Sequence, residues 1–206
     1  MSKNNQKTNV YSSKEGYDLW AKQYNDSRAI LEAFEKGRFM MKTGDLRGKK
    51  AIDLGAGTGR ITESLLMNGA DVYSLDVSEK MIEILKKDFP QAKAFVGDVF
   101  NMPFEDDFFD LATAGFLLVH LKDPRMFFRE VNRVLKPGGV FILSNINQKK
   151  APKLRLNSKE EIVIKSFYHR PQDIISMLQE EVFTVENEDT IEEDGIWINQ
   201  IITCRK

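Results

Sequence analysis

Cysteine and histidine are scarce in this chain of 206 residues, which has one cysteine and two histidines. The single cysteine, Cys204, excludes an internal disulfide and favours a reducing compartment. Thiolate and imidazole groups are the usual ligands of transition metals, so the sequence predicts no metal site.

A strong charge of either sign is also lacking, because the acidic and basic side chains nearly balance at a net charge of −1. No overall basic field attracts nucleic acid or an anionic membrane, so neither is an expected partner. No apolar run reaches the roughly 20 residues of a membrane span. The polar N-terminus, 1–13, has no apolar stretch of the signal-peptide type. We therefore expect a cytoplasmic protein, whose oligomeric state the sequence does not indicate.

The composition, with 42% hydrophobic and 30% charged residues, is that of a globular protein with a substantial core. The length suggests one main domain with a small extra element, which we assign as a helical cap over 1–45 and a main domain over 46–206. Residues 1 to about 12 are polar and are predicted to be disordered or loosely attached.

Two helices are predicted in the cap. Tyr17, Trp20 and Tyr24 are spaced i, i+3 and i+7, so they should share one face of the first helix. The second is predicted from about Ser27 to Lys42, with Ile30, Leu31, Phe34 and Met41 facing inward.

From position 50 the chain alternates short apolar runs with helical patterns, which predicts a parallel α/β sheet covered on both faces. The predicted strands are 50–54, 71–76, 92–96, 109–114 and 140–145, and the predicted helices end near 68, 88 and 135. Residues 136–139 are predicted to be a turn and 146–157 a polar loop. Residues 161–167 could be extended, and the last part is predicted to form a helix over 170–181 and a hairpin of strands 182–191 and 196–204.

A glycine-rich loop follows the first strand of this sheet. Gly55, Gly57 and Gly59 give the spacing G-x-G-x-G directly after Asp53. The dinucleotide fingerprint needs a third glycine where Arg60 stands, and a P-loop needs a Gly-Lys-Ser/Thr ending that is missing. Strand, glycine turn and helix form the geometry of a nucleotide-type cofactor loop.

Carboxylates end three of the predicted strands. Asp53, Asp76 and Asp98 follow the first, second and third strands, and ligands bind at the carboxyl ends of strands in open parallel sheets. We therefore expect these acids to lie together around one ligand.

Five successive motifs carry a family resemblance over about residues 50–145. They are Asp53-Leu-Gly-Ala-Gly-Thr-Gly-Arg60, Leu75-Asp-Val-Ser-Glu-Lys-Met81, Gly97-Asp-Val-Phe-Asn-Met-Pro-Phe104, Phe109-Asp-Leu111 and Leu135-Lys-Pro-Gly-Gly139. In order and spacing they resemble the class I S-adenosylmethionine (SAM)-dependent methyltransferase superfamily. The upstream Tyr17-Asp-x-Trp-Ala-x-x-Tyr24 is similar to the cap of the branch that methylates small molecules, including quinone-precursor methyltransferases.

The resemblance implies a Rossmann-like, doubly wound sheet of seven strands with an antiparallel last strand. It implies SAM as methyl donor, S-adenosylhomocysteine as product and a small-molecule acceptor methylated on O, N or C. Asp76 would accept hydrogen bonds from the ribose hydroxyls and Asp98 from the adenine amine. The full set of implied cofactor-binding residues is Tyr24, Asp53, Gly55, Ala56, Gly57, Gly59, Asp76, Val77, Met81, Asp98, Val99, Ala114 and Gly115.

Other residues are candidates for binding or activating the methyl acceptor. His120 follows the fourth strand and could be a base near the acceptor, although a half-exposed structural histidine is the favoured interpretation. The substrate-binding candidates are Tyr17, Trp20, Phe116, Tyr168 and His169. The aromatic residues of the first helix could instead only pack that helix on the sheet.

Three other functions stay open at this point. A nicotinamide-dependent oxidoreductase is disfavoured by Arg60 and by Asp98. A regulatory SAM-binding module without turnover has the same motifs. Methylation of tRNA or of a protein would require a basic patch beside the cleft.

Overall fold

The computed structural model describes residues 9–39, 42–43 and 45–206. Its strands are β1 (Asn9–Tyr11), β2 (Lys50–Leu54), β3 (Asp71–Asp76), β4 (Lys93–Val96), β5 (Phe109–Ala114), β6 (Leu135–Ile146), β7 (Lys153–Arg155), β8 (Glu161–Ile164), β9 (Thr184–Glu193) and β10 (Ile196–Arg205). Its α-helices are α1 (Ser13–Tyr24), α2 (Arg28–Glu35), α3 (Arg60–Met67), α4 (Glu79–Asp88), α5 (Arg125–Val134) and α6 (Pro171–Glu180).

A seven-stranded sheet in the order β4-β3-β2-β5-β6-β10-β9 forms the centre of the molecule. Pairs from β4 to β6 are parallel, and β10 is antiparallel to both β6 and β9. The predicted fold class, including the antiparallel last strand, is confirmed.

Alternation along β2 divides the core between the two faces of this sheet. Ile52 and Leu54 belong to a buried cluster with side chains of α5 and α6, whereas Ala51 belongs to a second cluster with side chains of α3 and α4. Both faces of the sheet are therefore covered, as expected of parallel strands. Among the described residues, no helix combines the length and apolar character that crossing a bilayer requires.

A second, three-stranded sheet has the order β1-β8-β7. β1 pairs with β8 in parallel, and β7 pairs with β8 in an antiparallel arrangement. The prediction of disorder for residues 1 to about 12 is wrong for 9–11, and 1–8 lie outside the described residues. The polar loop predicted over 146–157 is likewise wrong for 153–155, which pair with β8 in a local hairpin.

Helix α2 is shorter than predicted. It ends at Glu35 because Lys36 and Gly37 adopt left-handed backbone with φ of 48° and 70°. Ile30 is 58% exposed, so its inward orientation was wrong, whereas Leu31 and Phe34 are half-buried. Met41 lies outside the described residues.

The segment 136–139 is not an isolated turn. α5 ends at Val134, close to its predicted end, but the chain enters β6 at once and this segment is part of that strand.

Candidate functional site

A cavity of about 280 Å³ lies at the carboxyl ends of β2, β3, β4 and β5. It is lined by Ser12, Ser13, Lys14, Tyr17, Tyr24, Gly55, Gly57, Asp76, Val77, Met81, Gly97, Asp98, Val99, Phe100, Gly115, Phe116, Leu117, His120 and Leu121. Its exposed lining residues, Ser12, Lys14, Asp98 and Phe100, mark its opening. The cavity thus occupies the place where ligands bind open parallel sheets.

The glycine loop forms one wall of this cavity. Gly57 has φ of +55°, and a Cβ built on it would lie 3.6 Å from the ring of Tyr24. Gly59 has φ of +100° and caps α3, where a Cβ would lie only 2.7 Å from Phe89. Main chain is therefore exposed to the cavity at Gly57, whereas Gly59 allows α3 to pack closely.

Asp76 lies opposite the loop at the end of β3. Its Oδ2 accepts a hydrogen bond from the Gly57 N–H at 2.8 Å, and its Oδ1 accepts one from the Ser78 N–H at 2.8 Å. Burial raises the pKa of this carboxyl, and the two main-chain donors oppose that shift. A carboxylate with free lone pairs thus faces the cavity.

The end of β4 supplies a second carboxylate and an apolar surface. Asp98 is exposed at the cavity opening, and its Oδ1 accepts from the Phe100 N–H at 3.0 Å. Val77, Met81 and Val99 line the cavity on this side. A flat apolar group with a donor at its edge would suit this arrangement.

Asp53, the first of the predicted acids, is not part of the lining. Its Oδ2 accepts from the Thr62 N–H at 2.9 Å and the Thr62 hydroxyl at 2.8 Å, and its Oδ1 accepts from the Thr113 hydroxyl at 3.3 Å. Burial raises its pKa to about 6 despite these donors. Asp53 therefore fixes α3 to β2 and β5, beneath the loop.

Three more of the implied cofactor residues, Ala56, Gly59 and Ala114, also lie outside the lining. The other nine line the cavity: Tyr24, Gly55, Gly57, Asp76, Val77, Met81, Asp98, Val99 and Gly115. Sequence spacing locates the loop and the strand ends, but it does not show which side of a strand end faces the ligand.

Tyr17 and His120 meet in the lining of the same cavity. The Tyr17 hydroxyl lies 2.7 Å from Nε2 of His120, and Nδ1 of His120 lies 3.3 Å from the carbonyl oxygen of Lys165. Because a carbonyl only accepts, Nδ1 carries the hydrogen and Nε2 accepts from Tyr17. Burial lowers the pKa of His120, so the ring is neutral near pH 7 and has the protonation state of a base.

The aromatic residues of α1 form one cluster above this site. The ring centroids of Tyr17 and Tyr24 are 5.9 Å apart, and those of Trp20 and Tyr24 are 5.3 Å apart. The predicted shared face is confirmed. Tyr17 and Tyr24 line the cavity, whereas Trp20 packs behind them.

Phe116 lines the cavity in a left-handed conformation, with φ of +57°. Its N–H donates to the Ser144 hydroxyl at 2.8 Å, which holds this unfavourable backbone in place.

Tyr168 and His169 lie away from the cavity lining. His169 is buried, and its Nε2–H is shared between the carbonyl oxygens of Leu118 and Leu121, at 3.1 and 2.9 Å. The ring of Tyr168 packs 6.2 Å from that of Trp197. His169 therefore supports the turn that contains His120, and neither residue belongs to the lining of this cavity.

An ion pair that sequence reasoning missed joins the cap to the glycine loop. The guanidinium of Arg60 binds both carboxylate oxygens of Glu35, at 2.6 and 3.0 Å. The side chains are 13% and 4% exposed. No sequence signal separates Glu35 from the solvent-exposed acids of the same helix. Among the described residues, no group of three or more histidine, cysteine or acidic side chains is placed to hold a metal ion.

Part of the chain is similar to known proteins. Residues 52–143 match the family described as a methyltransferase domain. These residues, which make up less than half of the chain, are thus similar to methyltransferase domains. The match covers the glycine loop, Asp76, Asp98 and His120, and it confirms the resemblance to class I SAM-dependent methyltransferases.

Curated relatives and solved structures are also similar to this chain. A demethylmenaquinone methyltransferase of Paenarthrobacter aurescens (strain TC1) is 36% identical over 129 residues, which are 62% of this chain and 51% of that protein. The chain thus spans about half the length of the curated relatives it matches.

A SAM-dependent methyltransferase from Mesorhizobium loti has a TM-score of 0.72 at 20% identity, covering 85% of this chain and 100% of that one. The DhpI–SAM–HEP complex has a TM-score of 0.74 at 20% identity, covering 93% and 95%. These structures show the shared fold.

Proposed function

We propose that this chain transfers a methyl group from SAM to a small-molecule acceptor. The observation that carries the proposal is one cavity with two kinds of lining. The glycine loop, Asp76 and Asp98 line it together with the Tyr17–His120 pair. A donor and an acceptor would therefore meet within a single partly enclosed space.

The cofactor part of this lining fits SAM residue by residue. Gly57 leaves main chain open to the amino-acid portion, next to the N-terminus of α3, whose partial positive charge favours a carboxylate. Asp76 would accept from the two ribose hydroxyls, and Asp98 from the adenine amine, with Val77, Met81 and Val99 against the ring. Asp53 would keep the loop in this shape from below.

SAM brings an already activated methyl group, which the acceptor atom takes by in-line displacement while S-adenosylhomocysteine leaves. The chain's own contribution is alignment, which supplies ~7–11 kcal/mol in favourable cases. Where the acceptor atom carries a proton, neutral His120 would accept it at Nε2, with the Tyr17 hydroxyl moving aside or relaying it. Phe116, Leu117 and Leu121 would exclude water around the acceptor.

A quinone precursor is the acceptor class suggested by the relatives named demethylmenaquinone methyltransferases. The cap over 1–45, set against a SAM-binding domain over 46–206, and the cytoplasmic location stay predictions. Trp20, Tyr168 and His169 would act only by supporting the lining residues.

Binding and turnover are measured separately to test this function. Calorimetry should show one SAM bound per chain, and mass spectrometry should show S-adenosylhomocysteine forming only when an acceptor from a panel of quinols, phenols and amines is added. Absence of SAM binding would refute the proposal. Binding without turnover across the panel would favour a regulatory module, and turnover restricted to tRNA or a protein would exclude the small-molecule acceptor.

A further inference from the structure

Charge is unevenly distributed around the three-stranded sheet β1-β8-β7. The segment 147–165 contains six cationic and two acidic residues, a net charge of +4, in a chain whose total is −1. The cationic residues are Lys149, Lys150, Lys153, Arg155, Lys159 and Lys165. The expectation of no membrane partner rested on the net charge of the whole chain. This segment differs from the rest because its positive charges are concentrated in a short stretch.

The strand register places part of this charge on one face. Lys153 pairs with Val163 and Arg155 with Glu161, and Val163 also pairs with Val10. Paired residues point to the same side of a sheet, and the alternating Ile162 and Ile164 are buried on the other side. The outer face therefore presents Lys153, Arg155 and the acidic Glu161 beside apolar side chains, of which Val10 is 66% exposed.

Most of these cations are not neutralised. Within the part of the chain that the structure describes, Lys153 forms an ion pair with Glu161 at 3.3 Å, whereas none is recorded for Lys149, Lys150, Arg155, Lys159 or Lys165. These five side chains are all exposed. Clusters of four to eight lysines and arginines of this kind favour anionic lipid surfaces.

This basic face lies beside the candidate site. Lys165 directly follows β8, and its carbonyl holds His120, while Ser12, Ser13 and Lys14, which line the cavity, follow β1. We propose that the outer face of the β1-β8-β7 sheet, with its flanking lysines, docks on the surface of an anionic lipid bilayer. Charge complementarity attracts the face, and the exposed Val10 and half-buried Val163 suit the interface between headgroups and acyl chains. Lysine predominates over arginine, which suits a diffuse headgroup layer better than the bidentate contacts typical of nucleic acid.

Vesicle sedimentation tests this docking. The full chain should bind vesicles containing phosphatidylglycerol, bind pure phosphatidylcholine vesicles poorly, and detach as salt rises. Lys149→Gln, Lys150→Gln and Lys159→Gln combined should lower the affinity for the anionic vesicles by about tenfold or more. The matched control replaces three exposed lysines elsewhere, Lys49, Lys86 and Lys87, with glutamine and should bind as the original chain does.

Calorimetry with SAM on both variants separates this proposal from the proposed function, because neither set of lysines lines the cavity. Lys150→Glu, compared with Lys86→Glu, repeats the test with a single change in case the triple variant folds poorly. Equal loss in test and control variants, no binding to anionic vesicles at low salt, or tighter binding to an RNA oligonucleotide than to vesicles would overturn the docking.

Discussion

At the residue scale, the carboxylate of Asp76 is shared between the protein and the expected ligand. Two main-chain N–H groups, of Gly57 and Ser78, already fix its orientation. A sequence shows that an acid follows β3, but not that its oxygens are held by the glycine loop. The same limit applies to Asp53. It also stands at the end of a strand, but its side chain lies beneath the loop, which the sequence does not show.

Asp76→Asn should weaken SAM binding by about tenfold or more, a loss of ~1.4 kcal/mol of charge-assisted hydrogen bonding. The amide keeps the volume but offers one acceptor oxygen where the carboxylate offers two. Calorimetry measures the affinity. Asp71→Asn, at the other end of the same strand, is the control and should leave affinity unchanged, because this half-buried side chain pairs with Lys93 away from the cavity. An equal affinity of Asp76→Asn and the original chain would remove Asp76 from the cofactor site.

Asp53 gives a prediction for pH. Its pKa is raised from 3.8 to about 6, so the folded state binds the proton more tightly than the unfolded state. The resulting stabilisation is present below the unfolded pKa and is lost as pH rises through about 6. The amide of Asp53→Asn does not titrate, so the variant lacks this pH-dependent stabilisation. The free energy of unfolding of the variant minus that of the original chain should therefore rise by up to ~3 kcal/mol from pH 4 to pH 7.

Urea unfolding at several pH values between 4 and 7 measures this difference. Asp110→Asn serves as control. Burial raises the pKa of this carboxyl, but the Lys50 N–H and Lys136 together lower it by more, so the folded pKa lies below its ordinary value and the trend with pH should be opposite. If the difference for Asp53→Asn stays constant with pH, the carboxyl has no raised pKa.

At the element scale, periodicity and caps locate the long elements, whereas strand pairing and backbone conformation, which periodicity does not show, decide the short strands and the end of α2. β2, β3 and β5 have their predicted bounds, because apolar runs ending in turn residues are local signals. β1 and β7 have three residues each and are strands only because β8 lies between them. The shortened α2 shows the same dependence, since its end is set by left-handed backbone at Lys36.

The Glu35–Arg60 pair couples α2 of the cap to α3 behind the glycine loop. Removing one partner leaves the other charge buried, so Glu35→Leu should destabilise the fold by roughly 3 kcal/mol. The double variant Glu35→Leu/Arg60→Met removes both charges and should recover most of that loss. Urea unfolding of the two single variants and the double variant gives the coupling energy.

A second ion pair between the same two helices provides the control. Arg28 and Glu63 have side chains that are 42% and 36% exposed, so solvent screens their attraction. Arg28→Met should therefore cost less than about 1 kcal/mol. If Glu35→Leu lowers the free energy of unfolding as little as Arg28→Met does, the deeper burial of the Glu35–Arg60 pair does not increase its contribution to stability.

At the scale of the whole molecule, three of the contacts that hold α1 and α2 reach separate parts of the fold. Asp18 accepts from the Ser78 hydroxyl at 2.6 Å, and Gln23 donates to the Arg155 carbonyl at 2.6 Å and accepts from the Asn157 N–H. The ion pair of α2 is the third. These attachments span the sheet, the β7–β8 hairpin and the glycine loop, so the cap closes the cavity from elements far apart in the chain.

SAM should therefore rigidify the cap more than the distant side of the sheet. Amides of α1 should exchange with deuterium several-fold more slowly when SAM is bound, because Tyr17 and Tyr24 line the cavity and local opening of α1 would lose their contacts with the ligand. Hydrogen exchange with mass spectrometry at short labelling times, before global unfolding contributes, measures this. The β9–β10 hairpin contributes no lining residue and is the internal control, whose exchange should not change. Equal slowing in α1 and in that hairpin would mean that SAM stabilises the fold as a whole, and unchanged exchange in α1 would mean that the cap does not contact the cofactor.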